Sequence, residues 1–135
     1  MMAGLEVQLG EAGLIDKPYP KYDVSGIIGF SGDVVGSVVV SFSMEASIGI
    51  VEAFTGENMD IDNPDFADAI GELCNMIAGN AKQAFGLEAS IGIPSIIIGP
   101  GHCVTRLRDV PCIGIPARCA AGEFVVELSI KQVGG

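Results

Sequence analysis

Apolar positions in this chain follow two periods, and the switches between them mark the elements. Residues 1–9 form a short apolar stretch, followed by a loop holding Gly10, Gly13, Pro18 and Pro20. From Tyr22 the pattern becomes strand-like. Val24, Ile27, Ile28 and Phe30 lead into Ser31-Gly32-Asp33, and the valines of residues 34–42 follow. β-Branched residues on both sides of a Gly-Asp turn predict a hairpin. Ser43 then reads as the N-cap of a helix over residues 44–54, with Gly56 as its stop. An acidic loop over residues 57–65 ends in Asp62-Asn63-Pro64, and a longer helix is predicted over residues 65–85, closed by Gly86. Residues 87–98 read as a strand interrupted by Pro94, which suits an edge or a bulge. Gly99-Pro100-Gly101 turns the chain. Residues 112–120 and 124–130 form a second hairpin around Ala121-Gly122. The sum is one α+β domain over residues 1–135, a mainly antiparallel sheet with two helices packed on it. No linker or internal repeat is visible.

The second helix carries the strongest pattern. At about 100° per residue, Phe66, Ile70, Leu73, Ile77, Ala81 and Ala84 gather on one side as a buried stripe. Asp68, Glu72, Asn75, Gly79 and Lys82 fall on the other, within about 80° of arc. A solvated polar face accounts for most of this. Two details ask for more. Glu72 and Asn75 are three residues apart, so their side chains emerge as neighbours and can act on one object. Gly79 follows one turn later, where a helix loses roughly 1 kcal/mol relative to Ala. Bare backbone there would let a partner come close.

Composition narrows the function classes. With 49% hydrophobic and 18% charged residues in 135, the chain can bury a sizeable core. Its net charge is −10, with seven Lys plus Arg, so it lacks the basic stripe that nucleic acid or an anionic membrane surface requires. No apolar run reaches the roughly 18 residues of a membrane span. The first cation is Lys17, so no signal-peptide basic region is present, and a soluble cytoplasmic protein is expected. Cys74, Cys103, Cys112 and Cys119 show no C-x-x-C pair, and the one histidine, His102, stands beside Cys103 without zinc-finger spacing. Reduced thiols packed as small apolar residues are expected, with no metal site.

The segment Asp68-Ala69-Ile70-Gly71-Glu72-Leu73-Cys74-Asn75-Met76-Ile77-Ala78-Gly79-Asn80-Ala81-Lys82 resembles the signature helix of the CheC/CheX/FliY phosphatases of bacterial chemotaxis. That signature is an acidic or Ser residue, three residues, Glu, two residues, Asn, and a Pro some twenty residues on. Pro94-Ser95-Ile96-Ile97-Ile98-Gly99 is similar to the family's proline-containing strand, and Ile27-Ile28-Gly29-Phe30-Ser31-Gly32-Asp33-Val34-Val35-Gly36-Ser37 resembles its first hairpin. The similarity covers roughly residues 22–130. Glu-x-x-Asn alone is a weak motif; the ordered series is specific. A single Glu-x-x-Asn helix in a short chain is most similar to the CheX branch. One departure is the family's longer first helix, of which residues 1–9 would be at most the end.

The resemblance implies a CheC-like/CheX-like fold and a phosphatase acting on the aspartyl phosphate of a CheY-like response regulator. It implies that Asn75 enters the regulator's site and positions a water, as the water-orienting Gln does in GTPases. It implies that Glu72 pairs with the regulator's active-site Lys. Asp68 and Gly79 would lie in the partner contact. Mg²⁺ would belong to the phosphorylated regulator, and no cofactor is expected in this chain. The family also implies a homodimer joined through strand edges, for which the hairpin Cys112-Ile113-Gly114-Ile115 with Phe124-Val125-Val126-Glu127-Leu128 would offer an open edge. Two other readings stand beside this one: a scaffold or sensor that binds a receiver domain without hydrolysis, and a dimerising structural domain whose polar face is merely solvated.

Overall fold

Helix caps and turn glycines set the limits of each element. In the computed structural model, residues 8–11, 13–14, 23–32, 34–84, 86, 89–99 and 112–132 are described. Residues 1–7, Asp33, Phe85, Leu87, the Pro100-Gly101 turn, His102 and Cys103 lie outside them. The elements are β1 Gln8–Leu9, β2 Gly13–Leu14, β3 Val24–Gly32, β4 Val34–Phe42, α1 Met44–Thr55, α2 Pro64–Ala84, β5 Ala89–Ile91, β6 Ser95–Ile98, β7 Cys112–Cys119 and β8 Gly122–Gln132. Ser43 caps α1, its Oγ accepting from the Ala46 N–H at 3.1 Å. Gly56 ends it at φ 81°, a left-handed conformation that costs a side chain, and its N–H donates to the Glu52 carbonyl at 2.8 Å. Asn63 caps α2, its Oδ1 accepting from the Asp65 N–H at 2.9 Å, and Pro64 takes the first helical position, where a missing N–H is harmless. The helix therefore starts one residue before the predicted Asp65.

All the strand pairings are antiparallel, in the order β1-β7-β8-β4-β3-β5, with β2 also on β7 and β6 also on β3. The two predicted hairpins are β3–β4 and β7–β8, and they join through β4 and β8, paired from Val34↔Gln132 to Phe42↔Phe124. Rings of that last pair meet at a tilt of 31° with centroids 5.3 Å apart. Val24, Ile28, Phe30, Val38, Val40, Phe42, Phe124 and Leu128 bury one sheet face beneath the helices, which add Ala46, Ile50, Val51, Phe66, Ile70 and Leu73. This is the expected α+β architecture. The other face is also shielded, with Ser25, Ser41, Glu127 and Ser129 buried and the two hydroxyls of Ser25 and Ser41 bonded at 2.9 Å.

Two expectations are corrected. Gln8 and Leu9 form a strand on β7, not the end of a helix, with Gln8↔Arg118 and Leu9↔Ala117 as register partners. Together with Gly13↔Gly114 and Leu14↔Ile113, they cover the β7 edge that the sequence left open. Backbone groups along that edge already have partners within the chain, so the hairpin offers no long open edge for a second copy. Among the described residues, no helix is long and apolar enough to cross a membrane.

Candidate functional site

The site is built on α2, and what fixes α2 is its close seat on the sheet. Gly26 of β3 lies directly beneath Cys74: a Cβ added at Gly26 would collide with the Cys74 sulfur. A glycine there lets the helix descend until a small side chain meets backbone. Gly71 does the reciprocal work toward the outer strand, where an added methyl would stand 3.4 Å from Pro94 Cγ. Phe66, Ala69, Ile70, Leu73, Cys74 and Ala78 are buried, and Ile77 is half-buried. Three of these, Ala69, Cys74 and Ala78, widen the stripe that the larger residues predicted. The side chains of Ala81 and Ala84 lie outside the described residues.

Pro94 occupies a bulge. Phe30↔Ile91 and Ile27↔Ser95 are register pairs, so Ile28 and Gly29 on β3 face Gly92, Ile93 and Pro94. Two residues oppose three, and the register of β6 is shifted by one from that of β5. The Gly92 N–H still donates to the Gly29 carbonyl at 2.9 Å. Pro94 has no N–H to pair, which suits it to the interruption.

With α2 seated in this way, Asp68, Glu72 and Asn75 are exposed, and Gly79 and Lys82 are half-buried. The predicted polar face is thus one continuous outward surface. Among the described residues nothing lies within 4 Å of where a Gly79 Cβ would be, so their packing does not require glycine there. Among the described residues, the Glu72 carboxylate and the Asn75 carboxamide make no hydrogen bond or ion pair. Together they offer an anion and an amide that both donates and accepts, side by side and available. Beneath them Cys74 is sealed in: burial pushes its thiol up from 9.0 to about 12, so it stays protonated at ordinary pH. Cys74, Cys112 and Cys119 are all free thiols, as expected, the first two buried.

Sequence reasoning missed two neighbours of this face. Met76 is 42% exposed and Ile93, in the bulge, is 91% exposed. Met76 follows Asn75 directly and was legible on the helical wheel. Ile93 was not, because Ile91-Gly92-Ile93 looks like regular strand alternation unless the bulge is known.

A sequence profile of the family described as Chemotaxis phosphatase CheX matches residues 24–118. The chain is 30% identical over 137 residues to the CheY-P phosphatase CheX of Thermotoga maritima, covering 97% of this chain and 86% of that protein. Among solved structures it is similar to a chemotaxis protein CheX from Desulfovibrio desulfuricans, at 33% identity and a TM-score of 0.86, over 96% of this chain and 89% of that one. A CheC-like superfamily protein from a Shewanella species matches at 28% identity and a TM-score of 0.84, over 97% and 88% of the two chains.

Proposed function

Because this chain belongs to the Chemotaxis phosphatase CheX family, we propose that it hydrolyses the aspartyl phosphate of a CheY-like response regulator. The observation that carries the reading is the exposure of Glu72 and Asn75, without a bonding partner among the described residues, on one face of a helix whose seat is fixed by Gly26 and Gly71. Its support at the level of activity is the CheY-P phosphatase relative.

In the proposed reaction a water attacks phosphorus in line with the aspartyl oxygen. The P–O bond to that oxygen breaks, and inorganic phosphate and the free carboxylate leave. An acyl phosphate is already reactive, so what the helper supplies is positioning. Asn75 is suited to this, since its carbonyl oxygen accepts from the water while its NH₂ donates to a phosphoryl oxygen. Glu72 holds the helix in register through a charge-assisted bond to the regulator's Lys, stronger at a closed interface than at an exposed one. Asp68 and Gly79 border the same contact. Mg²⁺ belongs to the regulator's own pocket in this scheme.

The test is the lifetime of the phosphorylated regulator with and without the protein. Faster decay supports the proposal. Binding without faster decay makes the protein a scaffold, and neither makes α2 a solvated face.

A further inference from the structure

Large apolar side chains left in water are uninformative singly, but here their distribution is not even. Among the described residues three are exposed, Val35, Met76 and Ile93; Met76 follows Asn75 on α2, and Ile93 precedes Pro94, which faces Gly71 of the same helix. Taking Glu72 as the outward direction, Asn75 lies about 60° to one side of it on the helix and Met76 about 40° to the other. Gly71 lies about 100° round on the Asn75 side, and Pro94 packs against it. The residue before Pro94 is Ile93. The two apolar groups therefore flank the polar pair from opposite sides.

Ile93 is held out by construction. It is the middle residue of the three that face two across the β3 bulge, between Gly92, bonded to β3, and Pro94, packed on α2. Bulges re-aim side chains, and this one leaves an isoleucine 91% exposed, next in the chain to the proline that packs on α2. The outward face of α2 beside Glu72 is acidic, with Asp68 one turn before it and the one cation of that face, Lys82, near the far end of the helix. A partner matched to this surface has a basic face with apolar patches to either side.

We propose that Ile93 and Met76 are the apolar anchors that seat the regulator's receiver domain over Glu72 and Asn75, a proposal that rests on the phosphatase reading above. Apolar anchors around a polar centre supply affinity and exclude water from it, while the polar pair sets register. Neither anchor touches the reacting atoms, so they act on association and leave the chemical step alone.

The experiment uses the full chain with Ile93→Ser and Met76→Ser, and a CheY-type receiver domain with beryllofluoride as the phosphoryl mimic for binding. The same domain carrying phosphate serves for turnover. Each variant should raise Kd and KM roughly tenfold, the scale of losing one well-packed apolar contact. The kcat at saturation should stay within about twofold, and melting should be unchanged because an exposed side chain contributes little to stability. Unchanged Kd and KM in both variants, with turnover still abolished by Asn75→Ala, would overturn the anchors and leave the phosphatase reading intact. A fall in kcat at constant KM would overturn them as well. A wild-type chain that neither binds nor accelerates decay sinks both proposals together.

Discussion

The two helices each place a glutamate near an asparagine and use the pair differently. At the end of α1, Glu52 accepts a hydrogen bond from the side chain of Asn58 in the following loop at 3.1 Å, and Thr55 Oγ donates to the Val51 carbonyl at 2.8 Å. Those polar groups tie the helix to the loop that follows it. On α2, Glu72 and Asn75 stand closer in sequence, yet among the described residues neither bonds to the other or to anything else. Polar side chains that close a loop are engaged by the fold, whereas an unengaged pair is available to a partner. The contrast separates a Glu–Asn pair engaged by the fold from one left open to solvent without any appeal to motif.

The largest effect that would sharpen this contrast is at Asn75. Asn75→Ala should slow catalysed loss of phosphate by roughly 10²-fold or more, the scale of misplacing a reacting group. Stability should change little, since surface substitutions fall within about 0.5 kcal/mol. Asn58→Ala in the loop after α1 should do the reverse, lowering the melting temperature slightly and leaving turnover alone. Equal turnover in folded Asn75→Ala and wild-type proteins would remove the distinction.

Glu72→Gln comes next. It keeps shape and removes charge, so the regulator should bind roughly tenfold more weakly, as for loss of a charge-assisted bond, and with less dependence on salt. Glu52→Gln should alter neither. Titrations at two ionic strengths decide the matter, and a Glu72→Gln curve overlying the wild type at low salt would end the docking role.

Gly79 gives the smallest and most diagnostic shift. The space around it is open, so Gly79→Ala should stabilise the helix by up to about 1 kcal/mol. If the regulator lies against bare backbone there, the same methyl should weaken binding several-fold. Stabilisation with no loss of affinity would mean that Gly79 is simply a tolerated weak point.

Most of the frame was legible in the chain itself because its signals are local. Ser43, Gly56 and Gly86 bracket the helices, and the β-branched runs bracket the hairpins. The outward face of α2 followed from its period alone. Three features were not legible, each for a physical reason. β1 and β2 are two residues each and owe their existence to pairing with β7, about a hundred residues away in sequence. Ala69 and Ala78 are small, and their burial depends on how far α2 sinks, which Gly26 decides from another element. Ile93 projects because of a register shift that an alternating sequence hides.

Cys74 lies between Glu72 and Asn75 in the chain and on the opposite side of the helix, walled in against Gly26. Oxidants and alkylating agents attack the thiolate, and burial denies this sulfur both ionisation and access. The thiol beneath the polar face is therefore chemically insulated: a soft nucleophile sits one residue from Asn75, yet peroxide has no purchase on it. In the native protein at pH 8, iodoacetamide should leave Cys74 unlabelled while the half-buried Cys119 reacts, and mass spectrometry of the digested protein reads this directly. The same burial sets an alkaline limit. Below pH 9 the thiol is protonated folded or unfolded; between 9.0 and about 12 only the unfolded chain releases the proton, so stability falls through that window. On α2 the sulfur open to an oxidant is thus the thioether of Met76, not the thiol of Cys74.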